Sequence, residues 1–203
     1  QLKSMSWNIN SSYGKLLAER VGLGGAGKMF VVGASGVAHR DVYQELFSPD
    51  NDGVVRFADT IDAAIGLCTA NAGDVIVVLP GHTETVANAT TIVADVAGIS
   101  IIGLGQGTNR PTITLGTATS AAIPVSAANV RFSNLNFRSN LADIVTLFDV
   151  SAVGFTLEGC NIQASTEGST SLGFLAVVTT STTNNGCDYL TMKNNWWADL
   201  VAS

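Results

Sequence analysis

Charge is scarce in this chain: Asp, Glu, Lys and Arg together make up 13% of its 203 residues. The 16 acids outnumber the 10 bases and leave a formal net charge of −6. Such a body has no basic stripe to hold phosphate backbones, which argues against a nucleic-acid partner. The same acidity suits a soluble particle that must not aggregate. Cysteine is equally sparse. Cys68, Cys160 and Cys187 are odd in number and widely spaced, so they frame no disulfide scaffold. They read as buried thiols of a protein made in a reducing cytoplasm. His39 and His82 are the two histidines, and neither has a Cys or His at ligand spacing, so no metal or zinc motif is present. No apolar run of about 18 residues occurs, which predicts no membrane-spanning helix and no membrane partner. Residues 1–5 lack both an initiator Met and the apolar core of a signal peptide. Residues 196–203 end the sequence on an apolar note, which reads as a portion of a longer chain.

What the chain has in quantity is Gly, at 21 residues, with abundant Thr, Ser and Asn and only 4 Pro. Glu, Lys and Leu are too few for a helical bundle, and the composition is one of strands and turns. Four segments align: residues 99–105, 130–137, 155–162 and 190–197. Each reads apolar-x-apolar-x-(Gly or Asn)-x-x-apolar, the first being irregular after its Gly. Their starts lie 31, 25 and 35 residues apart, a spacing that signals stacked repeats. Alternation makes each segment a half-buried strand. Gly103, Asn134, Gly159 and Asn194 share one position, where a left-handed residue would bend one strand into the next. One such unit cannot bury its apolar face alone, but stacked units share a core. The expected fold is therefore all-β, a right-handed parallel β-helix. Stacking predicts Arg131, Thr156 and Thr191 as one outward ladder and Ser133, Glu158 and Lys193 as another, with Glu158 paired to Lys193.

Upstream, Ile61, Ala64, Ile65 and Cys68 fall at helical spacing, with Asp59 or Thr60 to cap the start. Residues 74–79 then read as a strand ended by a Pro80-Gly81 turn, followed by Thr83, Glu84 and Thr85. This order of a short Ala-rich helix, Gly-Asp, apolar strand, Pro-Gly and Thr-rich return resembles the first coil of pectin-lyase-like β-helix proteins. The resemblance implies a capping helix that plugs one end of the stack. Within that group, the whole run, including residues 27–33 and 49–57, resembles structural proteins of tailed bacteriophage particles. The chain divides into an extended N-terminal arm and attachment segment, residues 1–52, and a β-helix domain, residues 53–203. Within the first part, residues 28–34 read as a strand and residues 41–47 as a short helix. Trp7 and Tyr13 are the candidate attachment residues.

Reactive chemistry is hard to find. Residues 22–28 satisfy G-x-x-x-x-G-K, but Met29 follows where a phosphate loop needs Ser or Thr, and a strand follows where it needs a helix. The segment reads as a glycine hinge, and no cofactor is expected. His82 reads as a turn residue with a satisfied ring. The coil carboxylates Asp74, Asp95, Asp143, Asp149, Glu158, Glu167, Asp188 and Asp199 form no Asp-Asp or Asp-x-Asp pair. That spacing offers no acid/base pair or calcium cluster of the glycosidase or lyase kind, so no catalytic residue is assigned. The resemblance implies a non-catalytic structural virion protein: a capsid decoration or cement protein or head fibre, partnered by the major capsid protein or other virion proteins and homotrimeric. The alternative is a tailspike-like adhesin that binds or cleaves a host surface polysaccharide. Trp196, outward by register beside an inward Trp197, is its candidate glycan contact.

Overall fold

A computed structural model of the protein describes residues 27–47, 55–167, 170–181 and 186–199. Among these, regular structure is mostly strand, and the strands form three sheets. The first contains β1 (Met29–Val32), β2 (Phe57–Ala58), β3 (Val75–Val78), β5 (Ser100–Gly103), β8 (Arg131–Ser133), β11 (Thr156–Glu158) and β15 (Thr191–Lys193). They are ordered β2-β1-β3-β5-β8-β11-β15, and every neighbouring pair is parallel. The second sheet runs through β4 (Thr83–Val86), β6 (Thr112–Leu115), β9 (Asn136–Ser139), β12 (Asn161–Glu167) and β16 (Trp196–Asp199), again all parallel. Its one exception is β13 (Thr170–Leu172), which folds back antiparallel onto the end of β12. The third comprises β7 (Ile123–Val125), β10 (Phe148–Val150) and β14 (Val178–Thr180), also parallel. The fold is thus all-β and predominantly parallel, an arrangement compatible with a β-helix.

Register follows the sequence repeat. Ser100, Arg131, Thr156 and Thr191 are successive partners in the first sheet. Inward positions stack into columns. Ile101, Phe132, Leu157 and Met192 make one. Ile113, Phe137, Ile162 and Trp197 make a second, and Ile123, Phe148 and Val178 a third. The ring centroid of Phe148 lies 5.2 Å from that of Phe132, 5.1 Å from Phe137 and 5.1 Å from Phe155, so the three sheets share one core. Each such fully buried side chain contributes about 1.5–3 kcal/mol, and tilted or edge-on aromatic contacts add about 0.5–1.5 kcal/mol each.

The bends explain why the repeat carries Asn and Gly. Asn134, Gly159 and Asn194 are left-handed, with φ of 54°, 61° and 56°. Asn134 also uses its side chain, donating from Nδ2 to the carbonyls of Gly103 (2.7 Å) and Gly105 (3.1 Å) in the preceding layer. The first unit departs from expectation. Gly103 is in register with Asn134 but is not left-handed; Gly105 takes the positive φ, 93°, instead. Glycine is needed at 103 for space, because a Cβ there would sit 2.3 Å from the Asn134 carbonyl oxygen.

A second left-handed ladder, not anticipated, precedes the first sheet's strands by two residues. Gly73, Gly98, Asn129, Gly154 and Tyr189 all have φ between 58° and 77°. Gly and Asn adopt this conformation at little cost, whereas a tyrosine there is strained.

Two short α-helices and one 3-10 turn (Gly107–Asn109) complete the described chain. α1 (Arg40–Leu46) matches the helix expected near residues 41–47. α2 (Ile61–Ile65) buries Ile61, Ala64 and Ile65 in the main core. Of its two candidate caps, Thr60 does the work: its side chain accepts from the Ala63 N–H at 3.2 Å, while Asp59 pairs with Arg40. Strand β1, expected from residues 28–34, pairs with both β3 and β2.

Candidate interaction surface

The ionisable side chains of the interior are occupied by structure. His82 is fully buried, and its Nδ1 accepts from the Ala34 N–H at 3.0 Å. A neutral ring accepting at Nδ1 carries its proton on Nε2, which lies 3.2 Å from Glu84 Oε2. The same Glu84 oxygen accepts from the Ile61 N–H at 3.0 Å, at the first residue of α2. Neither ring nitrogen is therefore free to serve as a ligand or base. Glu84 stands at an inward position, register partner of Ile113. The sequence reading did not single it out. The available signal was a lone Glu where the strand pattern wanted an apolar residue, two places after His82.

Asp74 is buried with both oxygens used, accepting from the Lys28 N–H at 2.7 Å and the Thr69 N–H at 2.6 Å. The Lys28 amide thus faces a carboxylate, and β1 begins immediately after it, which is not phosphate-loop geometry. Asp62 accepts from the Val93 N–H at 3.0 Å. On the outer face, Glu158 is clasped between Arg131 of the layer before and Lys193 of the layer after, the latter at 3.0 Å. Burial opposes ionisation of Glu158, but hydrogen bonds and charge from Lys193 and Arg131 outweigh it and hold the group below its ordinary value. The Glu158–Lys193 pair is the one expected from the repeat; Arg131, placed on the neighbouring ladder, joins it across. Burial, with a further push from Asp74, raises the Cys68 thiol to about 12. Burial raises Cys160 to about 11, so both are poor nucleophiles near neutrality. His39 is exposed and left-handed just before α1, beside Ser35 and Arg40 on a shallow surface groove. Among the described residues, no group of three or more His, Cys, Asp or Glu side chains is placed to hold a metal ion. None of the described helices is long and apolar enough to cross a membrane.

The feature that stands out lies where β15 and β16 form the last layer. Met192 and Trp197 hold inward register positions, yet they are 44% and 52% exposed. Their predecessors in the same columns, Leu157 and Ile162, are 0% and 2% exposed. Trp196, in the outward register with Asn161, is equally open. The strained Tyr189 is exposed over 86% of its surface. Together these residues make an aromatic and apolar face bordered by two strands whose far edges carry no neighbour among the described residues. The repeat register brought Trp196 into view as the candidate glycan contact, with Trp197 inward beside it. Trp7 and Tyr13, the candidate attachment residues, lie outside the described residues.

No family model, no curated protein and no solved structure matches this chain.

Proposed function

We propose that the chain is a right-handed parallel β-helix, plugged at its first coil by α2 and preceded by an attachment arm. In this reading it serves as a non-catalytic structural component of a tailed-phage particle. The form that fits is a capsid decoration or cement protein or a head fibre, assembled as a homotrimer on the major capsid protein. The observation that supports a scaffold role is the use of its polar interior. His82 and Glu84 hold backbone amides and each other, and Asp74 holds two further amides, so these buried ionisable groups are committed to the backbone. The phage assignment itself rests on the sequence resemblance of the whole run, residues 27–33 and 49–57 included. A second reading, a tailspike-like adhesin for a host polysaccharide, draws support from the exposed Trp196 and Tyr189, since aromatic faces beside polar groups stack on sugars.

Copy number in purified particles tests the proposal. Hundreds of copies per particle, scaling with the major capsid protein, are expected of a decoration protein. A few trimers per particle would move the chain to the tail and favour the adhesin. Absence from particles would overturn the virion reading.

A further inference from the structure

Residues 33–47, which include α1, lie as a flap over the outward side chains of β1 and β2. Ala34, Val37, Tyr43 and Phe47 of the flap pack on Val31, Phe57 and Leu79, in a cluster separate from the main core. Backbone bonds tie both ends of the flap: the Gly33 N–H donates to the Ala58 carbonyl at 3.1 Å, and the Arg56 N–H to the Phe47 carbonyl at 3.3 Å. Between those ties the described residues supply two side-chain pins. One is His82, whose Nδ1 accepts from the Ala34 N–H at 3.0 Å. The other is Arg40, which donates from Nε to the Gly33 carbonyl at 3.0 Å, stands 5.3 Å from the Phe57 ring centroid and pairs with Asp59.

The His82 pin is sensitive to a proton. Nδ1 accepts from Ala34 only while it carries no hydrogen. A protonated ring keeps its Nε2–H on Glu84 Oε2, now as an ion pair, so the grip on Glu84 tightens and the Ile61 N–H keeps its acceptor. On the other side, Nδ1–H meets the Ala34 N–H donor to donor, and a buried donor is left without an acceptor. One proton therefore loosens the flap and spares α2. Among the described residues, Glu84 is the charged side chain in contact with the ring. Asp59 is taken by Arg40, and Asp62, on α2, accepts from the Val93 N–H. Arg110, ahead of β6, donates to the Gly159 carbonyl. Arg56, ahead of β2, is buried. His39, Asp41 and Glu45 on the flap are exposed, and β1 and β3 carry no charged residue.

We propose that the flap is a pH-sensitive strap: proton uptake by His82 releases residues 33–47 and bares Val31, Phe57 and Leu79, while β1 stays paired in its sheet. The closed form excludes a proton from Nδ1 and the open form admits one. Opening therefore takes up a proton and is favoured as pH falls. Imidazole is the side chain whose ordinary titration lies between about pH 5 and 8, so the strap works in that range. The inference does not rest on the virion reading, since it concerns only residues within this chain.

Amide hydrogen exchange of the whole protein at about pH 7.5 and about pH 5 tests this, each rate being corrected for the intrinsic pH dependence of exchange. At the lower pH, residues 34–47 are expected to exchange about tenfold faster, the scale of one lost buried hydrogen bond. The Ile61 amide and residues 130–162 are expected to keep their corrected rates. Binding of the apolar-surface dye ANS is expected to rise in step with the flap's exchange. His82→Asn offers a carbonyl oxygen to the Ala34 N–H but cannot take up a proton, and is expected to remove the pH response. Asp59→Asn, at an exposed position, weakens the Arg40 pin without touching the ring. It is expected to speed flap exchange at both pH values and to keep the tenfold ratio between them. Equal acceleration in residues 130–162 overturns the proposal, because the whole fold would then be loosening; so does a flap whose exchange is the same at both pH values. These two outcomes need only the unaltered protein and stand even if His82→Asn fails to fold. A pH response that survives His82→Asn, or that Asp59→Asn abolishes, overturns it as well.

Discussion

One column of the core runs from Glu84 through Ile113, Phe137 and Ile162 to Trp197, and its two ends could hardly differ more. At Glu84 the column starts on a carboxylate that is nearly inaccessible and whose Oε2 holds both the His82 ring and the first amide of α2. At Trp197 it stops on a large apolar side chain with half its surface in water. The first end places polarity inside and satisfies it; the last places apolar surface outside and leaves it uncovered. Burial of a hydrogen-bonded polar group is tolerable because each donor finds an acceptor. Exposed apolar surface has no such local remedy and is relieved only by a further layer. The difference is one of how each end treats its awkward group: the first engages a buried carboxylate in hydrogen bonds, while the last has no further layer over Trp197 among the described residues.

The largest effects that sharpen this contrast come from the neighbouring column of Ile101, Phe132, Leu157 and Met192. Phe132 is fully buried and its ring lies near those of Phe137, Phe148 and Phe155. Phe132→Ala should destabilise the fold by about 3–5 kcal/mol, as large-to-small changes in tight cores do. Met192→Ala, at the same register position two layers on, should cost less than about 1 kcal/mol, because nearly half its surface is already in water. Urea denaturation of both variants measures the pair. Similar losses would mean that the last layer is as well packed as the centre and would remove the contrast.

A middle-sized effect belongs to Glu84. Glu84→Ala leaves the Ile61 N–H and the His82 Nε2–H without their acceptor in a buried setting, a loss of about 2–4 kcal/mol for two such donors. Trp197→Ala, at the far end of the same column, should fall below about 1 kcal/mol. The same denaturation experiment tests both. If Glu84→Ala is harmless, the His82–Glu84 link does not hold β1 and α2 to the core.

Much of this was legible in the sequence, for a physical reason. Strand alternation and the Gly or Asn bend recur in each layer, so register could be read by alignment, and Glu158 over Lys193 followed from it. The Pro80-Gly81 turn and the Thr60 cap were also readable, because both are local. Two things were not. The pairing of β1 with both β3 and β2 joins residues some 26 to 46 positions apart that share no repeat with the rest. Glu84 was hidden because a charged residue at an inward position makes sense only once His82 and the start of α2 are seen beside it. The open end was half visible: the register placed Trp197 inward, but only the structure leaves it without a covering layer. The left-handed ladder was missed because its Gly and Asn residues lie just outside the aligned segments, and Tyr189 disguises its last member.

That last member gives the smallest effect and the most selective one. Gly154 and Tyr189 occupy equivalent positions in successive layers, each two residues before its strand, with φ of 77° and 60°. A left-handed non-glycine residue costs roughly 1–2 kcal/mol, partly offset by the greater freedom that glycine loses on folding, about 0.5–1 kcal/mol. Tyr189 makes little contact that could compensate, being mostly in water. Tyr189→Gly should therefore stabilise the free protein by about 0.5–1 kcal/mol. The reverse exchange one layer earlier should do the opposite. Gly154→Ala meets both the strained φ and the Asn129 Oδ1, which would lie 2.3 Å from the new Cβ, and should cost at least about 1–2 kcal/mol. Thermal denaturation resolves changes of this size. A Tyr189→Gly variant that gains stability shows that the tyrosine is not there for the fold. One that loses stability would mean that the exposed ring already packs on something in the free molecule, and the last layer would have to be counted as covered.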